Sequence, residues 1–129
     1  MIYQLFYNLI SNSLKFSKEN EPPIINIKSG KLIDAELKEL GLVDKNGYYK
    51  IEVSDNGIGF AEEHAEQIFD SFSRLHSKDQ FEGTGLGLSL CKKIVIRHNG
   101  LISASSKEKE GATFTIVLPA KQDAQKNIN

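Results

Sequence analysis

Asn8, Asn12 and Lys15 fall at about 0°, 40° and −20° around a helix of 100° per residue, a single stripe of two amides and one ammonium. Amide oxygens suit a hard divalent cation and a lysine suits phosphate, although the same stripe also fits a solvated helix face. A second group, Asp55-Asn56-Gly57-Ile58-Gly59-Phe60, follows a strand-like run. Its glycines permit unusual backbone angles and let a planar ligand approach the main chain, and Asp55 offers an acceptor to an exocyclic amine. A plain Asp-Asn-Gly turn between strand and helix accounts for the same residues. Third, Gly83-Thr84-Gly85-Leu86-Gly87-Leu88 runs into a helical pattern, where free N–H groups and the positive dipole end favour phosphate. It follows a polar loop rather than a strand, so it fits a dinucleotide fingerprint poorly, and the chain has no Gly-x4-Gly-Lys-Ser/Thr loop.

These residues need elements to hold them. Ile2, Leu5, Phe6, Leu9, Ile10 and Phe16 span about 60° to 200° of the first helix, which predicts a broad apolar face and a helix already running at Met1 or Ile2 without a cap. Glu21-Pro22-Pro23 stops it. Strands are predicted over 24–29 and 48–54, separated by a polar excursion with a short helix over 34–40 and read as a solvated loop. Helical patterns follow over 61–69 and 86–98, the second closing on Asn99-Gly100. Segments 101–105 and 113–118 predict a hairpin across Lys107-Glu108-Lys109-Glu110-Gly111.

At 129 residues the chain suits one domain. Sixteen Lys+Arg against seventeen Asp+Glu leave a net charge of −1, which provides no global field for nucleic acid or an anionic membrane. No apolar run approaches the roughly 20 residues that cross a bilayer, and the N-terminus lacks a basic region and cleavage site. One cysteine, Cys91, excludes an intrachain disulfide. These features predict a cytoplasmic domain without nucleic-acid or membrane contact.

In order and spacing, the segments resemble the nucleotide-binding boxes of the sensor histidine kinase ATP-binding domain, in the superfamily shared with gyrase, Hsp90 and MutL. Residues 8–17 (NLISNSLKFS) are similar to the N box and DNGIGF (55–60) to the first glycine box. Residues 68–72 (IFDSF) resemble the F box, GTGLGL (83–88) the second glycine box, and GATFTIVLP (111–119) the closing strand. The run from Phe72 to Val95 resembles the lids of phytochrome-like and multi-sensor PAS/GAF kinases. The resemblance implies an α/β (α+β) two-layer sandwich, a mixed β-sheet with helices on one face and a mobile ATP lid over 73–82. It implies the domain over 1–120 and a disordered tail over 121–129.

The resemblance also implies roles. Asn12 would coordinate Mg2+, Asn8 would support the metal–phosphate cluster, and Lys15 and Arg74 would approach the phosphates. Phe16 and Phe72 would flank the nucleotide, Asp55 would take the adenine amine, and Gly57, Ile58 and Gly59 would shape the pocket. Gly83, Thr84, Gly85, Leu86 and Gly87 would hold phosphate. The implied function is to position Mg-ATP for γ-phosphoryl transfer to a histidine on a separate dimerisation domain, with a response regulator downstream.

Departures matter too. Ser13 stands where the family commonly has Ala, a small-for-small change expected to be harmless. His64, His76 and His98 lack the setting of a phosphoacceptor, and His98 reads as a favourable charge at a helix end. Asn8 stands where the superfamily's ATPases place a Glu, and an amide is no general base near pH 7, so efficient hydrolysis is not expected. Met1-Ile2-Tyr3-Gln4-Leu5 matches the interior of the N-box helix, which implies a domain lacking its preceding strand and helix, cut from a longer kinase. An anti-sigma-type serine kinase and a nucleotide-insensitive docking module are the competing readings.

Overall fold

Leu5, Leu9 and Ser13 recur at four-residue intervals along α1 (Ile2–Lys15) and are its buried residues, so one stripe of the helix faces the core. The computed structural model describes residues 2–43, 47–70 and 87–121. After Pro22 and Pro23 the chain forms β1 (Ile25–Lys31), α2 (Asp34–Leu40) and β2 (Tyr48–Asp55), and later α3 (Gly87–Arg97), β3 (Leu101–Lys107) and β4 (Gly111–Pro119). α2 keeps the bounds its pattern predicts because both ends are capped. Ile33 N donates to Glu36 Oε1 at 3.1 Å, Gly41 sits at φ 71°, and Leu42 N closes on Leu37 O at 2.9 Å.

The sheet order is β1-β2-β4-β3. Every described pair is antiparallel, which corrects the expected mixed sheet. The physical reason is the return of β4. β2 and β3 are joined through α3 and run parallel to each other, but β4 inserts between them and pairs antiparallel with both.

The two longer helices cover one face, giving the two-layer α/β sandwich. Leu5 and Leu9 of α1 and Cys91, Ile94 and Val95 of α3 pack over Val53, Phe114 and Ile116. Strand residues alternate between faces, so Lys50 and its partner Val117 point away from the Ile51–Ile116 pair. On that reverse side Val117 packs with Leu32 and Leu37, and Lys50 Nζ meets Glu36 Oε2 at 2.6 Å. α2 therefore departs from the expectation of helices on one face, and its excursion is not merely a solvated loop. Its leucines bury themselves, and the ion pair fixes their seat.

Residues 61–69, predicted helical, form two 3-10 turns, Glu62–His64 and Gln67–Phe69. Ser106 explains the change: its hydroxyl accepts from Phe60 N at 2.8 Å and its own N–H donates to Glu62 Oε2 at 2.7 Å. Tied at its start, the segment turns tightly and drives Ile68 and Phe69 into the core, Phe69 edge-on to Phe114 with centroids 6.2 Å apart. α3 ends with Asn99 at φ 63°, while Gly100 is needed for close packing, since a Cβ there would meet Val117 O and Leu118 Cδ2. His98 Nδ1 bonds Ile94 O at 2.8 Å, and since a carbonyl only accepts, the ring carries a hydrogen on Nδ1 that it donates to the last helical turn. Among the described residues no helix is long and apolar enough to cross a membrane.

Candidate functional site

Asp55 is the last residue of β2, and three donors converge on its half-buried carboxylate. Gly57 N donates to Oδ1 at 2.9 Å, Ala112 N donates to Oδ1 at 3.2 Å, and the Ser13 hydroxyl donates to Oδ2 at 2.9 Å. A carboxylate offers about four acceptor positions. Two are filled on Oδ1 and one on Oδ2, so among the described residues Oδ2 keeps one for a further N–H.

The glycine loop reaches its place by docking on protein. Ile58 N donates to Phe16 O at 2.9 Å, and Lys109 N of the β3–β4 turn donates to Ile58 O at 2.6 Å. A Cβ on Gly57 would come 2.5 Å from Phe16 O and 3.0 Å from Asp55 Oδ1. Gly59 takes φ +66°, and a Cβ there would run into Lys107 O, Gly111 O and Ser106 Oγ. Asn56 fastens the other side, accepting from Ile24 N at 2.8 Å and donating to Pro22 O at 3.2 Å. The room at both glycines is taken up by this chain's own backbone, a purpose that sequence reasoning did not separate from ligand approach.

Along α1, Asn8 and Asn12 sit one turn apart beside the buried Ser13 stripe. Asn8 Oδ1 accepts from Gln4 Nε2 at 3.2 Å, whereas its Nδ2 is buried toward Cys91 and makes no well-formed hydrogen bond among the described residues. The Asn12 side chain is half-buried and free of hydrogen bonds among the described residues. Exposed Lys15 holds its Nζ 5.6 Å from the centroid of the half-buried Phe16 ring, within cation–π range. Burial pushes the Cys91 thiol up to about 11, with the Asn8 side chain working against the shift. Cys91 is thus the small hydrophobe its position predicts, its Sγ 3.8 Å from Leu5 O.

Gly87 opens α3, and a Cβ there would meet nothing within 4 Å among the described residues. Phe72, Arg74, Gly83, Thr84, Gly85 and Leu86, with the lid over 73–82, lie outside the described residues. The structure therefore gathers Asn12, Phe16, Asp55, Gly57 and Ile58 at the junction of α1 and the β2 loop, with Asn8 a turn further along α1. Two participants escaped sequence reasoning, Ser13 and Ser106. A serine at a position of the apolar stripe was the available signal for Ser13. Ser106 gave none.

These residues fit a magnesium-bound nucleotide. Among the described residues no group of three His, Cys, Asp or Glu could hold a metal by itself. Magnesium is usually held by one or two protein oxygens plus substrate phosphates, and the half-buried Asn12 amide, without a hydrogen bond among the described residues, suits that division.

A model of the histidine kinase-, DNA gyrase B- and HSP90-like ATPase family matches residues 1–122. The chain belongs to this ATPase family. Cyanobacterial phytochrome A from Nostoc sp. is 42% identical over 118 residues, covering 92% of this chain and 14% of the relative. The catalytic domain of the histidine kinase ThkA superimposes with a TM-score of 0.65 at 30% identity, covering 92% of this chain and 66% of that one. Full-length ShkA, solved in complex with AMPPNP, gives a TM-score of 0.70 at 22% identity, covering 95% of this chain and 22% of that one, a likeness of fold. The chain spans about a seventh of the phytochrome it matches. Family and relatives identify an ATP-binding catalytic domain of the sensor histidine kinase type.

Proposed function

We propose that this domain holds Mg-ATP and presents its γ-phosphoryl group to a histidine on a separate dimerisation domain, within a cytoplasmic signalling kinase that passes the phosphoryl group to a response regulator. The observation that carries the reading is the Asp55 carboxylate, anchored among the described residues by three donors with one acceptor position left on Oδ2. That position suits an exocyclic amine and repels a carbonyl. The fold shared with a kinase solved with AMPPNP supports the same reading.

When bound, magnesium supplies positive charge that offsets the triphosphate. Asn12 holds the metal through its amide oxygen, Asn8 lines the same cluster, and Lys15 and Arg74 meet the phosphates. Phe16, Phe72 and Ile58 enclose the nucleotide, and the backbone from Gly83 to Gly87 holds phosphate at the start of α3. The Asn8 amide cannot take a proton from water near pH 7, so the site positions its nucleotide rather than hydrolysing it.

Calorimetry with Mg-ATP tests the reading. A hydrogen bond to a charged group contributes about 1.5–3 kcal/mol, so Asp55→Ala is expected to weaken ATP tens-fold. Unchanged affinity in that variant would sink the proposal. Incubated alone with radiolabelled ATP, the chain is expected to stay unlabelled on histidine.

A further inference from the structure

We propose that Ser13 is a positioning residue for base recognition, pinning the Asp55 carboxylate so that its remaining acceptor position meets an exocyclic amine; this rests on the ATP reading above. Ser13 is 2% exposed, one of two buried polar residues among those described, and its hydroxyl donates to Asp55 Oδ2 across 42 residues of chain. Buried hydroxyls persist where they are paired, and this one has found the charged group of the site.

The geometry gives the bond a directional role. Gly57 N and Ala112 N both grip Oδ1, which leaves the carboxylate free to rock about that oxygen. Ser13 is the one described donor to Oδ2, and a third donor on the second oxygen fixes the carboxylate plane. The anchor itself is firm. α1 packs through Leu5 and Leu9, and Phe16 O, three residues on, takes the Ile58 amide.

The bond also sets polarity. A serine hydroxyl has one hydrogen, and here it is spent on Asp55, so Ser13 Oγ offers only lone pairs to an incoming base. Oδ2 and Ser13 Oγ together present acceptors alone. A 6-amino purine satisfies them, whereas a purine without the amine leaves Oδ2 unpaired. The expectation that serine here equals alanine therefore gives way to a specificity-determining role.

The test compares ATP with purine riboside 5′-triphosphate, which is ATP without the exocyclic amine, by calorimetry with Mg2+ on the parent chain, Ser13→Ala and Ser13→Cys. Alanine is the best helix former, so Ser13→Ala is expected to keep its thermal midpoint within a few degrees. ATP affinity is expected to fall about ten-fold while the analogue is unchanged, which collapses the preference between them. Ser13→Cys keeps the shape with a weak donor and is expected to fall between the two. Equal losses for both nucleotides would reveal a merely structural role, and no loss for either would make the hydroxyl irrelevant; each overturns the inference alone. Failure of the parent chain to bind ATP would instead remove the proposed function, and the inference with it.

Discussion

The amide of Ile58 donates to the carbonyl of Phe16 at 2.9 Å, docking the loop after β2 on the end of α1. That carbonyl belongs to the unsatisfied C-terminal end of a helix, where an outside donor is needed. Its use here joins the two segments that carry the candidate site. The N-box stripe and the Asp55 loop are thus one mechanical unit, and disturbing the dock is expected to disturb both.

Gly57→Ala tests that unit. The added Cβ would come 2.5 Å from Phe16 O, a backbone atom that cannot swing aside. Overpacking of this kind costs about 1–3 kcal/mol, so the thermal midpoint is expected to drop by several degrees and ATP binding to weaken with it. Gly30→Ala is the control, because a Cβ at Gly30 meets nothing within 4 Å. A Gly57→Ala protein as stable as Gly30→Ala would show that the loop does not depend on this contact.

Much of this fold is legible locally. α2 could be read from its acidic first turn and Gly41, and the β3–β4 hairpin from its alternation and charged turn, since both are decided within a few residues. What sequence reading misses lies where distant segments meet. Residues 61–69 turn as 3-10 rather than α because Ser106, more than 40 residues on, holds Phe60 and Glu62. Asp55 was legible as an acceptor, but its orientation depends on Ser13 and Ala112, 42 and 57 residues away. Strand order likewise depends on β4 entering between β2 and β3, which no local pattern encodes.

Cys91 is expected to be chemically silent in the folded protein. Burial raises its thiol to about 11, so at pH 8 about one molecule in a thousand carries the reactive thiolate. A disulfide reagent at pH 8 is expected to leave the native thiol unmodified over minutes and to react at once in strong denaturant. Rapid native labelling would mean that the layer between α1 and α3 opens easily.

Asn8 is expected to trade stability for binding. Among the described residues its Nδ2 is buried without a well-formed hydrogen bond, and an unsatisfied buried donor costs about 1–3 kcal/mol. Asn8→Leu copies the branched shape of the amide and removes the orphaned group, beside the core that Leu5, Leu9 and Cys91 form. The nucleotide-free protein is therefore expected to melt a few degrees higher, while Mg-ATP affinity falls because the metal–phosphate cluster loses a polar neighbour. Opposite movement of the two quantities is the signature, since a packing defect would lower both. Scanning calorimetry with and without Mg-ATP reads them in one experiment. A variant that melts lower and binds ATP unchanged would mean that the Asn8 amide contributes to the resting core and has no part in holding nucleotide.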